Sequence, residues 1–193
     1  MQILRNQAAN SHVESGKDPT GLGRWTWTRH QGKGNIYLKV YTAYRTCSPT
    51  STLGSSTIHR QQQRYLDKHH DTRTPRTAFL EDLQQELLQS SAKGDQIILM
   101  GDFNEHIAKE TIDTFCTAVN LREAITEKHQ ANQGYAPTHQ KGRDPIDGIF
   151  ISPTLHITQG GYLPFGEAPG DHRALWISIH YDLALGYNMY RPV

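Results

Sequence analysis

Cysteine is scarce in this sequence, and long hydrophobic runs are absent. The two cysteines, Cys47 and Cys116, are too few for a disulfide framework, and no CxxC pair is present. Free thiols in a reducing compartment are the default interpretation. No apolar run approaches the ~20 residues that a membrane-spanning helix needs, and residues 1–6 are too weakly apolar for a secretory signal. The sequence therefore predicts an intracellular protein with no transmembrane segment, and it does not distinguish nucleus from cytoplasm.

The sequence also lacks several common catalytic signatures. It contains no Walker loop, no GxSxG elbow and no GxGxxG fingerprint. Its 11 histidines suggest zinc, above all His69, His70, His129 and His139, but none of their spacings matches a metal-binding helix. Adjacent histidines on a polar segment are usually solvated instead. With 36% hydrophobic and 20% charged residues among 193, the chain has enough apolar material for one folded domain.

Positive and negative charges are unevenly distributed along the chain. Residues 1–80 contain 12 Lys and Arg against 4 Asp and Glu, whereas residues 81–193 contain 8 against 15. The two parts therefore carry net charges of +8 and −7, which sum to the overall +1. A basic surface beside an acidic pocket suits a polyanionic substrate held near divalent cations. Solvated surface charge explains the same asymmetry, so it supports that function only weakly.

The hydrophobic pattern predicts one α/β or α+β domain. Thr74 and Pro75 are a typical cap and first residue of a helix, and Lys93-Gly94 supplies the helix end. A second, short helix is expected over residues 110–119. Apolar or alternating stretches predict strands at residues 25–28, 35–43, 96–101, 145–152 and 174–181.

A candidate site begins at Gly101-Asp102-Phe103-Asn104, directly after the apolar run 97–100. A strand end presents side chains to a cleft on a rigid support. The Asp can bind a metal ion or orient water there, and the Asn can donate a hydrogen bond to a phosphoryl oxygen. Asp and Asn are also ordinary turn residues, so the tetrapeptide alone is equally consistent with a turn.

Two further acidic motifs border predicted strands. Asp147 opens the apolar stretch 146–151, where a carboxylate is costly unless it is paired. Asp171 and His172 come just before the last strand. A His there can bind phosphate or act as a general acid if a carboxylate fixes its tautomer and raises its pKa. Asp147 would supply that carboxylate, which leaves Asp171 for a metal ion or its coordinated water. Each motif alone is more often a turn or a surface segment.

Together and in this order, GDFN at 101–104, IDGIF at 146–150 and GDH at 170–172 resemble the endonuclease/exonuclease/phosphatase superfamily of metal-dependent phosphodiesterases. The resemblance covers residues 21–181. Residues 1–20 are interpreted as an irregular lead-in and residues 182–193 as a C-terminal tail. The resemblance implies an α/β (α+β) fold of four layers: a two-sheet β-sandwich flanked by helices, with the site at one end of the sheets.

The resemblance also implies catalytic roles. Asp102 would orient or deprotonate the attacking water, and Asn104 would bind the phosphate. His172 would contact the scissile phosphate while Asp147 holds its ring. The reaction would be in-line hydrolysis of a phosphodiester, in which a divalent cation stabilises the developing charge.

Ligands for the cation and the substrate follow from the same resemblance. Asp171 and Asp102 would hold Mg²⁺ (or Mn²⁺), since the ligands are hard oxygens, and Tyr44 or Arg45 would reach the phosphate. The family also supplies a metal-binding Glu from an early strand. Here the only glutamate before Tyr44 is Glu14, and no apolar strand carries it. We therefore expect early strands of the first sheet to be missing and cation binding to be weakened.

These features favour a divalent-metal-dependent phosphodiester hydrolase, specifically a nucleic-acid endonuclease that prefers DNA over RNA. The basic first half supports nucleic acid, as does a general similarity of residues 21–25 and 79–83 to nuclease domains of retroelements. A phosphatase or lipid phosphodiesterase is a second interpretation, because a fold does not choose its substrate. A catalytically degenerate remnant without the metal-binding Glu is a third. The sequence indicates no oligomeric state.

Overall fold

The computed structural model describes residues 7–49, 57–126 and 135–187. Its elements in chain order are α1 (Gln7–Ser11), β1 (His12–Lys17), β2 (Trp25–Gln31), β3 (Tyr37–Tyr44), α2 (Ile58–Lys68), α3 (Pro75–Ala92), β4 (Asp95–Asp102), α4 (Glu110–Ala118), β5 (Arg122–Glu123), β6 (Asp147–Ile151), β7 (Ile157–Tyr162), β8 (Leu175–Ile179) and α5 (Tyr181–Leu185). Across these residues, no helix combines the length and the apolar character needed to cross a bilayer.

A six-stranded sheet with the strand order β1-β2-β3-β4-β6-β5 is the main scaffold. The β3–β4 pair is parallel, and the other pairs are antiparallel. Helices α2 and α3 lie in the long connection that a parallel pair requires. Strand pairing aligns Tyr44 with Asp102, and Asp102 with Asp147. These three side-chain positions are therefore neighbours at one end of the sheet.

Alternation along the central strands builds a hydrophobic core on each face of this sheet. In β4, Ile97 and Leu99 belong to the core that contains buried residues of α3 and α4, whereas Ile98 belongs to the opposite core. In β6, Phe150 and Ile151 divide between the two cores in the same way. Each such buried side chain contributes about 1.5–3 kcal/mol. The strands that end at the candidate site are thus packed on both faces.

The long helix α3 begins and ends where the sequence predicts. Thr74 precedes its first residue, and the Thr74 hydroxyl accepts a hydrogen bond from Thr77 N at 3.2 Å. Pro75 occupies the first position, where its missing N–H costs no intrahelical bond. Gly94 follows the last turn with a φ of 83°, a conformation that glycine adopts without a steric penalty.

The second sheet is small, since β7 and β8 form a single antiparallel pair. It packs against the six-stranded sheet on the face that α2, α3 and α4 leave open. The expected mixed α/β sandwich is confirmed. Within the described residues the first sheet has six strands and the second has two. The expectation that early strands are missing stays a prediction.

The segment interpreted as an irregular lead-in and the segment interpreted as a C-terminal tail both contain secondary structure. The lead-in forms α1 and β1, and β1 pairs with β2 although its sequence is polar. An edge strand that is largely exposed needs no apolar alternation, so the sequence pattern did not reveal it. The tail begins with α5, where Leu185 is buried and its carbonyl accepts a hydrogen bond from Lys33 N at 2.7 Å. Residues 1–6 and 188–193 lie outside the described residues.

Candidate active site

The turn after β4 holds the Asp102 carboxylate in a fixed orientation. Asn104 has a φ of 49°, a left-handed conformation that asparagine tolerates better than most residues. Its backbone N–H donates to Asp102 Oδ1 at 2.8 Å, and its Nδ2 donates to Asp102 Oδ2 at 3.1 Å. Nδ2 also donates to the Arg45 carbonyl at 2.7 Å. Because both amide N–H groups have acceptors within the protein, this geometry favours a positioning role for Asn104 over the phosphate contact that the resemblance implied.

The pKa of the Asp102 carboxyl is raised above its ordinary value of 3.8. Burial, and then the negative charge of Asp147, raise the pKa of Asp102 to about 6, although the backbone N–H of Asn104 acts in the opposite direction. A carboxyl group with a pKa near the working pH is suited to proton transfer. A cation bound between the two carboxylates would relieve their mutual repulsion.

His172 and Asp147 form the hydrogen bond that the sequence predicts. His172 Nδ1 lies 2.7 Å from Asp147 Oδ2, so Nδ1 carries the proton and Nε2 is left for another partner. Burial lowers the pKa of His172, but the hydrogen bond and the charge of Asp147 outweigh it and raise the pKa above its usual 6.5. The result is an imidazole that holds a positive charge more readily than a free histidine.

Thr138 anchors the start of β6, and with it Asp147. The side chain is fully buried, and its hydroxyl accepts hydrogen bonds from the backbone N–H groups of Ile146 at 2.9 Å and Asp147 at 3.1 Å. No local sequence signal indicates these hydrogen bonds, because the two partners of Thr138 lie eight and nine residues further along the chain.

Replacing Thr138 with valine tests this anchor. Valine keeps the shape but leaves two partly buried N–H groups without an acceptor, so we expect a loss of about 1–3 kcal/mol in the free energy of unfolding. Chemical denaturation measures it. Thr154→Val is the matched control, because the Thr154 hydroxyl makes an exposed hydrogen bond to Gln96. Equal stabilities of the two variants would contradict the anchoring role.

His139 belongs to the same site, although its spacing from the other histidines matches no metal-binding motif. Its Nε2 lies 3.1 Å from Asp171 Oδ2, and its ring contacts the His172 ring edge to face with the centroids 4.9 Å apart. His139 and His172 form an isolated antiparallel bridge. The pairing of these two loops brings His139 into the site. No local sequence signal predicts that pairing.

Tyr44 and Arg45 differ in their placement. Tyr44 is half-buried beside Cys47, and burial followed by the charge of Cys47 raises the pKa of Tyr44 to about 12. Its hydroxyl therefore stays protonated at neutral pH. The Arg45 guanidinium is buried and donates to Glu105 Oε2 at 2.6 Å and to the Arg76 carbonyl at 3.3 Å. Its placement favours a supporting role over the direct phosphate contact that the resemblance implied.

Two groups of side chains have the spacing of metal ligands. Asp102, Asp147 and His172 form one group, and His139, Asp171 and His172 form the other, with ligand atoms within 4.8 Å of one another in each. Carboxylate oxygens suit Mg²⁺ or Mn²⁺, and imidazole nitrogen shifts preference toward transition ions. Each group offers donors that fit a divalent cation, and the two groups share His172, with Asp102 in one and Asp171 in the other.

Glu14 lies far from these groups. It sits in β1, but strand pairing places it opposite Arg29, which pairs with Lys39, which pairs with Ile97. Three strand spacings separate Glu14 from β4, or about 14 Å across the sheet. Ile97 is itself five residues before Asp102. Glu14 is therefore not a ligand of the candidate site.

No family model and no curated protein matches the sequence. Solved structures do match. The 3′ phosphatase NExo from Neisseria, bound to product DNA hairpin, has a TM-score of 0.58 at 13% identity, over 88% of this chain and 72% of that one. The human Nocturnin catalytic domain has a TM-score of 0.55 at 16% identity, over 88% and 60%.

A third similar structure carries the family name in its description. It is an endonuclease/exonuclease/phosphatase family protein from Bacteroides thetaiotaomicron, with a TM-score of 0.51 at 18% identity, over 80% of this chain. The present chain has the endonuclease/exonuclease/phosphatase fold. The fold expected from the three motifs is thereby confirmed. The chain spans only 53% to 60% of the length of the Bacteroides and human structures, and at such identities the similarity establishes the fold alone.

Proposed function

We propose that this protein is a divalent-cation-dependent phosphodiester hydrolase that acts on nucleic acid, with DNA preferred over RNA. The observation that carries the proposal is the 2.7 Å His172–Asp147 hydrogen bond in one cluster with Asp102. A carboxyl group whose pKa is raised to about 6 and an imidazole that favours its charged form supply a base and an anion-binding cation side by side. That combination suits a phosphodiester more than a neutral substrate.

Each residue of the site has a distinct role in the proposed reaction. Asp102 orients the attacking water and accepts its proton, and Asn104 keeps the Asp102 carboxylate in place. Protonated His172 donates a hydrogen bond from Nε2 to the scissile phosphate. Asp147 holds the His172 ring in the tautomer that this contact needs. The hydroxyl of Tyr44, which stays protonated, is available to a phosphoryl oxygen.

A divalent cation would complete the site. The carboxylates of Asp171 and Asp102 would hold it, and when bound it would stabilise negative charge on the phosphoryl and leaving oxygens. Mg²⁺ and Mn²⁺ are the ions that such carboxylates favour, and Mn²⁺ also accepts imidazole as a ligand.

Plasmid nicking tests the proposed function. Purified protein is incubated with supercoiled DNA in Mg²⁺, in Mn²⁺ and in EDTA, and single-stranded RNA and a phosphomonoester are tested in parallel. We expect cation-dependent conversion of supercoiled to open-circular DNA and slower cleavage of RNA. Turnover of the phosphomonoester alone would favour a phosphatase, as NExo is named. Inactivity on every substrate and with every cation would favour a degenerate remnant.

The basic surface of α2 supports nucleic acid as the substrate. Arg60, Arg64 and Lys68 are all exposed and lie four residues apart, so they form one stripe along the helix. The single acidic residue of α2, Asp67, accepts a hydrogen bond from Gln63 at 2.8 Å. The stripe therefore presents positive charge suited to a phosphate backbone.

This helix is also close to the candidate site. Helix α2 packs on α3, and Arg76 in the first turn of α3 donates to the Asn104 carbonyl at 3.2 Å. We propose that a phosphate backbone that follows α2 continues past α3 toward Asp102. The proposed association with retroelements rests on residues 21–25 and 79–83 alone and stays a prediction.

Charge reversal on α2 tests the substrate surface. We expect Arg60→Glu/Arg64→Glu to weaken DNA binding at least about tenfold and to reduce the slope of log K against log salt by about 2, because two phosphate contacts are lost. Fluorescence anisotropy in EDTA measures binding without cleavage.

The matched control carries the same change of charge at the other end of the sheet. Lys33 follows β2 and Lys93 follows α3, and both are exposed. Lys33→Glu/Lys93→Glu should leave the salt slope within experimental error. If the two double variants lose affinity equally, the long-range net charge and not α2 governs binding, and the assignment of this surface is wrong.

A further inference from the structure

The loop that carries His139 is clamped onto the loop that carries Asp171. Gln140 N donates to the Asp171 carbonyl at 2.8 Å, and Arg173 N donates to the Thr138 carbonyl at 2.7 Å. These two hydrogen bonds lie on either side of the paired residues His139 and His172. Backbone hydrogen bonds alone therefore fix the position of His139 relative to Asp171.

The His139 ring is fixed as well. The backbone N–H of Lys141 donates to His139 Nδ1 at 3.2 Å, so in the neutral ring the proton resides on Nε2. Nε2–H then donates to Asp171 Oδ2 at 3.1 Å. A cation bound to Nε2 would require a proton on Nδ1, which would face the Lys141 N–H. The local hydrogen bonds thus favour His139 as a donor to Asp171 over His139 as a metal ligand.

His139 is the side-chain partner that restrains Asp171, whose carboxylate also accepts a hydrogen bond from its own backbone N–H. The Asp171 side chain is 59% exposed, whereas the His139 side chain is 26% exposed. An exposed carboxylate samples several rotamers, and ordering it costs entropy when it binds an ion. Hydrogen-bonded partners of ligating carboxylates commonly reduce that cost and set the ligand's orientation.

We propose that His139 is a positioning residue that orients the Asp171 carboxylate for a divalent cation in the cleft. This inference rests on the proposed function, in which Asp171 is a cation ligand. Two His–Asp pairs then stand side by side with their rings in edge-to-face contact. The Asp147–His172 pair acts on the phosphate, and the His139–Asp171 pair prepares the cation site.

Binding of Mn²⁺, followed by the electron paramagnetic resonance signal of the free ion, tests the proposal independently of catalysis. We expect His139→Ala to raise the Kd for Mn²⁺ by about tenfold or more. His139→Gln, whose amide can donate to Asp171, should recover most of that affinity. Adding His139→Ala to Asp171→Asn should cause little further loss, since His139 acts through Asp171 and residues that act as a unit are not additive.

His156→Ala is the matched control. His156 is an exposed histidine just before β7, at the end of the small sheet away from Asp171. It should bind Mn²⁺ as the unaltered protein does, and thermal unfolding identifies any variant that is not folded. An unchanged Kd in His139→Ala, or full additivity in the double variant, would overturn the proposal.

The remaining outcomes separate this inference from the proposed function. If His139→Gln binds Mn²⁺ as poorly as His139→Ala, the imidazole is itself a ligand, and the positioning role is wrong. If the expected Mn²⁺ pattern appears but no phosphodiester is cleaved, only the proposed function fails. If the unaltered protein does not bind Mn²⁺, both are overturned.

Discussion

Replacing Asp102 with asparagine is expected to lower kcat/KM for DNA cleavage by about 10³-fold or more, because the base that accepts the proton of the water and a cation ligand are lost together. The same substitution is expected to stabilise the cation-free protein at neutral pH. The two effects have one cause, which is the cost of an ionised carboxylate in this buried position.

The sign of the stability effect follows from the raised pKa. Asp102 has an ordinary pKa of 3.8 and a folded-state pKa of about 6, so the folded protein prefers the protonated form. Stability is therefore greatest below the unfolded pKa, falls as the pH rises from about 4 to 6, and stays reduced above that. The full difference corresponds to about 3 kcal/mol. Asparagine avoids this cost but forgoes one hydrogen bond with Asn104, worth about 1 kcal/mol, which leaves a net gain of about 2 kcal/mol.

Thermal unfolding in EDTA measures this effect at about pH 8 and about pH 4.5, on either side of the raised pKa. Asp102→Asn should unfold at a higher temperature than the unaltered protein at the higher pH only. Asp113→Asn, on the exposed surface of α4, is the control and should change neither stability nor activity. A pH-independent shift, or full activity of Asp102→Asn, would contradict the account of Asp102.

The second large effect is expected at the His172–Asp147 pair. His172→Ala should lower kcat by about 10²–10⁴-fold, the range typical of a lost proton donor. Asp147→Asn should lower kcat less and also move the alkaline limb of the pH–rate profile. The hydrogen bond and the charge of Asp147 raise the pKa of His172, so the loss of both lowers that pKa. The active, protonated imidazole is then lost at a lower pH.

Steady-state kinetics across pH measures these changes, with single variants and the double variant compared. We expect the double variant to be about as impaired as His172→Ala alone, because the carboxylate acts through the imidazole. His69→Ala is the control, since His69 is exposed near the end of α2 and contacts Tyr65. An alkaline limb that does not move in Asp147→Asn would show that Asp147 does not tune His172.

Elements with regular apolar spacing were predictable from the sequence. Helix α3 and strands β3, β4, β6 and β8 were expected close to their observed positions, because each buries residues at helical or alternating intervals. Strand β1 was not predicted, because it is polar and lies at a sheet edge. Strand β7 was not predicted either, because its sequence ITQGGY contains adjacent glycines that disfavour a strand.

The candidate site was predictable in part for a similar reason. Asp102, Asp147 and His172 adjoin predicted strands, and neighbouring strand ends bring their side chains together. The involvement of Thr138 and His139 was not predictable, since a loop without periodicity carries them. Local sequence likewise did not predict two hydrogen bonds, from Arg45 to Glu105 and from Asn104 to the Arg45 carbonyl.

The sequence by itself determined the fold class and the identity of the acidic residues and the histidine at the strand ends, because strand formation and burial depend on neighbours within a few positions. Only the tertiary structure decided which polar group pairs with which. His172 and Asp147 are 25 residues apart, His139 and Asp171 are 32 apart, and Asn104 and Arg45 are 59 apart. Contacts over such separations are set by strand register and loop pairing, and a shift of one residue in register turns a side chain to the opposite face of the sheet.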